Sequence, residues 1–141
     1  MLRSYRVAAD GRTVVCDAIV ARSDGEALAE AVAWRRDELS RLELHDVDGV
    51  LALRALMTID DLLTAPRPDE DHLPLTVDRK QVTTLCEIAG AYVSERDVGN
   101  YQPPEERDRI ERLRGLAGPL MDCSSELAAA ERELRDRALP V

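Results

Sequence analysis

Apolar positions recur along this chain at two different periods, and the change of period marks its elements. In "RSYRVAADGRTVVCDAIVA" they alternate. Tyr5, Val7 and Ala9 share one face of an extended segment, and Val14, Cys16, Ala18 and Val20 share one face of the next. Asp10-Gly11 stands between the two. An Asp-Gly pair between β-prone runs predicts a tight type I′ hairpin turn, whose two central residues both need positive φ. A lone hairpin is marginally stable in water, so an element that covers it is expected.

From Ser23 the period lengthens. Leu28, Ala31, Val32, Arg35, Leu39 and Leu42 fall at helical spacing, and Ser23 followed by Glu26 has the form of a capping box, which predicts a helix starting there. "LHDVDGVLALRALMTIDDLLTAP" fits two descriptions. Asp48-Gly49 would join two further strands and give a four-stranded sheet, whereas Val50, Leu53, Leu56, Met57 and Leu63, with a stop before Pro66, fit a helix over 46–64; the helix is preferred. "APRPDEDHLPL" carries three prolines and three acids and predicts an extended, unburied linker. Beyond it, Val82, Leu85, Ala89 and Tyr92 line one face of a helix for which Thr76 is the expected cap, and a turn is expected at Gly99-Asn100.

The last segment, "GNYQPPEERDRIERLRGLAGPLMDCSSEL", opens with Pro103-Pro104 and the acids Glu105 and Glu106, all suited to a helix start. Glu105 with Arg109 and Asp108 with Arg112 stand at i, i+4, where surface ion pairs form. On the opposite face Ile110, Leu113, Ala117, Leu120, Ser124, Leu127, Glu131 and Leu134 step by three and four, with a leucine at every seventh residue. Gly115, Gly118 and Pro119 predict a break, and hence two consecutive helices. The whole pattern implies an α+β, mostly helical fold: an N-terminal β-hairpin packed on a helix, then a C-terminal antiparallel helical hairpin or small bundle. The expected organisation is 1–64 as hairpin plus helices, 65–75 as linker, and 76–141 as a helical hairpin packed on the first part as one unit.

Composition narrows this picture. Among 141 residues there is no phenylalanine, and Trp34, Tyr5, Tyr92 and Tyr101 are the only aromatics, so the core must be built from Leu, Val, Ile and Ala, which favours helix-on-helix packing. The net charge is −9, with eight basic and twelve acidic residues in 1–64 and eleven and sixteen beyond. Neither half is a basic module, which disfavours nucleic acid and anionic membranes as partners; the acidity suits solubility or a basic protein partner. Lys80 is the only lysine, a bias of the kind a high-GC bacterial genome imposes. Apolar runs are too short for a bilayer span or a signal peptide, so a cytoplasmic location is expected.

Chemistry is sparse. His45 in "LELHDVD" and His72 in "DEDH" lie near acids, yet neither has a second nitrogen or sulfur at metal-ligand spacing, so no metal and no cofactor are expected. Cys16, Cys86 and Cys123 read as packed, reduced thiols, Cys123 lying beside Ser124 and Ser125 in "MDCSSEL". Asp60-Asp61 and Glu105-Glu106 are adjacent on helices and point apart, so neither pair flanks a substrate. The expectation is therefore a non-enzymatic interaction or regulatory adaptor working through helical apolar faces. Ile110, Leu113, Leu120, Leu127 and Leu134 would seal against the chain's own helices or a second copy, and a homodimer is expected. Two alternatives stand beside it: a transcription regulator with "ERDRIERLRGLAG" as its one candidate recognition helix, and a ligand binder or enzyme with a pocket near Tyr92, Tyr101 and Cys123.

Overall fold

The computed structural model describes residues 1–41, 47–64, 71–96 and 101–138. In chain order these form β1 (Leu2–Val7), β2 (Val14–Ala21), α1 (Arg22–Ser40), α2 (Val47–Thr64), β3 (His72–Asp78), α3 (Arg79–Arg96) and α4 (Pro104–Ala138). The fold is α+β and mostly helical, with its N-terminal hairpin followed by helices. The sheet is antiparallel in the order β1-β2-β3. On β2 the alternation works as expected: Val14, Cys16, Ala18 and Val20 are buried, and Leu73, Leu75 and Val77 of β3 join them beneath α1, α3 and α4. The other side of the sheet is open, and Leu2 and Ile19, paired across β1 and β2, are exposed there.

The hairpin exists, but its connection is longer than a type I′ turn. The strands end at Val7 and resume at Val14, and Gly11 has positive φ, at 70°. The Asp10 carboxylate organises the loop by accepting from the Arg12 and Thr13 backbone N–H groups at 2.8 and 2.9 Å and from the Thr13 hydroxyl at 2.6 Å. These bonds favour the charged form and hold the Asp10 pKa down at about 2.

Two further expectations are corrected at helix starts. α1 begins at Arg22 with no side-chain cap, because β2 runs directly into it and the Arg22 N–H is taken by the Asp71 carbonyl at 2.9 Å. Gly25 lets this first turn lie against β3: a Cβ there would stand 2.7 Å from Leu73 Cδ2. α3 is capped by Asp78 rather than Thr76. The Asp78 carboxylate accepts from Gln81 N–H at 2.8 Å and the Gln81 side chain accepts from Asp78 N–H at 3.0 Å, a reciprocal capping box, while Thr76 lies in β3 and donates to Asp17 at 2.7 Å.

The linker expected over 65–75 is also corrected where it can be seen. Residues 65–70 lie outside the described residues, but His72–Leu75 belong to β3, whose register with β2 runs from Val15↔Asp78 to Ala21↔His72. Leu73, Leu75 and Val77 alternate inward, and Pro74 is tolerated because it sits outward on an edge strand.

α4 differs most from expectation. It is one helix of 35 residues that runs through Gly115, Gly118 and Pro119 without a break. Inside a helix a proline costs about 3 kcal/mol. Leu113 and Leu116 before Pro119, and Leu120, Cys123 and Leu127 after it, are all buried along one side. At about 1.5 to 3 kcal/mol for each buried leucine, continuous burial outweighs the local penalty.

Candidate functional site

The heptad residues proposed as an interaction seam are taken up inside the chain. Ile110, Leu113, Leu120 and Leu127 are buried against α3, α1 and β2, and Leu134 is half-buried at the end of the row. The buried companions of the leucines are Leu116 and Cys123, rather than Ala117 and Ser124.

Among the described residues, exposed large apolar side chains are instead concentrated on α2. Val47, Val50, Leu51 and Met57 are exposed, Val47 at 73% and Leu51 at 53%, whereas Leu56, Ile59 and Leu63 face the core. Val47, Val50, Leu51, Arg54, Met57 and Asp61 are spaced by three and four residues, so they share the outward side of one helix. The sequence pattern had grouped Val50 and Met57 with Leu56 and Leu63. α2 is apolar on most sides, so its period selected no single face. Beside it lies a groove of about 440 Å³ between α1, α2 and α3, with Leu39, Leu51, Ala55, Leu56, Ile88 and Ala91 among its apolar lining and Arg35, Asp48, Lys80 and Glu87 among its charged lining.

A second feature is polar. Tyr92, buried on α3, directs its hydroxyl to the Glu106 carboxylate, 2.9 and 3.1 Å from the two oxygens. Arg109 donates to Glu106 at 2.5 Å and to the Tyr92 oxygen at 3.3 Å, and Arg96 reaches Glu106 at 3.3 Å. The Arg96 guanidinium also lies over the Tyr92 ring, 4.3 Å from its centroid, and Trp34 meets that ring edge-on at 5.6 Å. Burial is the main cause of the raised Tyr92 pKa. The expected Glu105–Arg109 pair gives way to Glu106–Arg109, because Glu106 turns inward with its side chain only 12% exposed; Asp108–Arg112 forms as expected at 2.9 Å. A pocket of about 410 Å³ opens here, with Trp34, Arg41, Tyr92, Arg96 and Arg109 in its lining, and Arg96 Nε is buried without an acceptor.

The three residues suggested for a ligand pocket do not converge. Tyr101 is 82% exposed, and Cys123 is seventeen residues beyond Glu106 on the same helix, about 25 Å at 1.5 Å per residue. Cys123 lies instead near Tyr5 and Cys16 beneath the sheet. There Arg3 grips Glu126 bidentately at 2.9 and 3.0 Å, and the Tyr5 hydroxyl donates to the same carboxylate. Arg3 first, then Tyr5, holds the Glu126 pKa down at about 2. Burial pushes the Cys16 thiol up to about 12, with Cys123 adding to the shift, so this is a protonated, unreactive sulfur. Cys86 is also raised, chiefly by burial.

Among the described residues no three His, Cys, Asp or Glu side chains form a metal-holding group, and no helix is long and apolar enough to cross a membrane. His72 is exposed at the start of β3, and His45 lies outside the described residues. In the candidate recognition segment Arg109, Arg112 and Arg114 are each held by a carboxylate of their own chain, and Ile110, Leu113 and Leu116 are buried. The fold thus defines an α+β chain whose helices cover one side of a three-stranded antiparallel sheet. Among protein-family models, curated proteins and solved structures, none matches it.

Proposed function

We propose that this chain is a non-catalytic interaction module that receives an apolar helix of a basic protein on the outward side of α2 and in the adjoining α1–α2–α3 groove. The observation that carries this reading is the concentration on one 18-residue helix of four exposed large apolar side chains, Val47, Val50, Leu51 and Met57, beside a groove lined largely by Leu, Ile and Ala. A patch of this kind is the usual mark of a contact surface, and helix-in-groove recognition anchors side chains at three- and four-residue spacing. The net charge of −9 supplies the long-range attraction to a basic partner.

The test is photo-crosslinking from position 51 in cells, followed by capture with Leu51→Asp and Met121→Asp variants. Leu51 and Met121 are both exposed, so neither change disturbs the core. The expected result is a crosslinked partner that Leu51→Asp no longer retains and Met121→Asp does. Equal retention by both variants would refute the proposal.

A further inference from the structure

β1 is an edge strand, and its hydrogen-bonding pattern can be worked out. Ala8 N–H donates to the Thr13 carbonyl at 2.7 Å, and this pair continues the β1–β2 register of Leu2↔Ile19, Ser4↔Asp17 and Arg6↔Val15. In an antiparallel ladder, bonded pairs alternate with non-bonded ones. Leu2, Ser4 and Arg6 therefore exchange bonds with β2, and Arg3, Tyr5 and Val7 turn their N–H and C=O groups outward, where no other described strand lies beside them.

Natural edges are guarded by charge, proline, a bulge or a covering element. β3, the other edge, has Pro74. β1 has no proline and pairs continuously from Leu2 to Val7 without a bulge. Its two arginines do not guard it, since Arg3 is held by Glu126 at 2.9 Å and Arg6 by Asp17 at 2.7 Å. Next to this edge a shallow cleft of about 170 Å³ lies between the strands and the end of α4, with Tyr5, Val7, Ala130 and Leu134 among its lining.

We infer that β1 pairs with β1 of a second copy, antiparallel about a two-fold axis at Tyr5, to make one six-stranded sheet. This strand is complementary to itself in that register. Tyr5 faces Tyr5, Arg3 faces Val7, Ser4 faces Arg6, and no like charges stand opposite one another. Each facing pair among Arg3, Tyr5 and Val7 exchanges two backbone hydrogen bonds. The half-buried Leu134 and exposed Val7 of each copy gain cover at the junction. A foreign acidic peptide would find no free cation on the strand, because both arginines are already paired. The two copies carry −9 each, so salt, by screening their repulsion, strengthens this association, whereas it weakens capture of a basic protein.

Amide hydrogen exchange of the full chain, read residue by residue together with light scattering across a concentration series, tests this. The expected result is a dimer whose Arg3, Tyr5 and Val7 amides become protected as it forms, so that protection runs unbroken from Leu2 to Val7. Val7→Pro removes one outward donor per copy, leaves the β1–β2 bonds intact, and weakens dimerisation about tenfold or more. A monomer at every concentration, or a dimer in which Arg3, Tyr5 and Val7 still exchange freely, overturns the inference. The exchange measurement stands on the unaltered protein, so it decides the matter even where Val7→Pro does not fold.

Discussion

Replacing Pro119 with alanine tests whether tertiary burial alone keeps α4 continuous. The proline lies near the middle of the 35-residue helix, where its ring crowds the Gly115 carbonyl and it offers no N–H to that carbonyl. Alanine removes the crowding and restores the bond, a gain of up to about 3 kcal/mol on the propensity scale. Loss of the proline also frees the unfolded chain, which takes back roughly 0.4 to 1 kcal/mol. The net expectation is about 2 kcal/mol of added stability. With an unfolding entropy of roughly 2.1 cal/mol/K per residue over 141 residues, this corresponds to a Tm rise of about 7 °C. Urea denaturation and calorimetry measure both quantities, and Leu127→Ala, at a side chain that is 0% exposed, calibrates the seam with an expected loss of about 2 to 5 kcal/mol. An unchanged or lowered stability in Pro119→Ala would refute the reasoning. It would show that the packing of Leu113, Leu116, Leu120 and Leu127 depends on a bend at the proline.

Two further outcomes follow from the polar clusters. Glu106→Ala leaves Tyr92, Arg96 and Arg109 without their shared acceptor and is expected to cost about 1 to 3 kcal/mol in urea, a range set below that of a fully buried pair because both arginines are partly exposed; Glu105→Ala should change stability by less than about 0.5 kcal/mol. Glu126 has a folded pKa of about 2, below the unfolded value near 4.3, so its contribution is complete above the unfolded value and is lost as pH falls toward 2. Denaturation curves between pH 6 and 2 should therefore flatten in Glu126→Gln relative to the unaltered chain, and identical pH profiles would contradict the pairing.

Where one face of an element was buried and the other wet, the sequence pattern was sufficient. The alternation of β2 and the inner row of α3, Val82, Leu85, Ala89 and Tyr92, appear as read. α2 was legible as a helix but not in orientation, since a helix apolar on most sides has no preferred face in a periodicity argument. β3 was hidden by Pro74 and the Pro/acidic run before it, although Leu73, Leu75 and Val77 alternate in plain view and Pro74 falls on the outward parity. Local propensity misjudged α4 because the energy that keeps it continuous is supplied by its packing on α3, α1 and β2. The Glu106 cluster was the least accessible. Glu105 and Glu106 are chemically identical neighbours, and only the placement of α3 against α4 decides which of them turns toward Tyr92 and Arg96.

β3 begins about fifty residues after β2 ends, with two helices in between. During synthesis at roughly 5 to 20 residues per second, the future middle strand therefore waits roughly 2.5 to 10 s with one flank bare. The nascent chain has a window for wrong pairing that closes only when its distant third strand emerges.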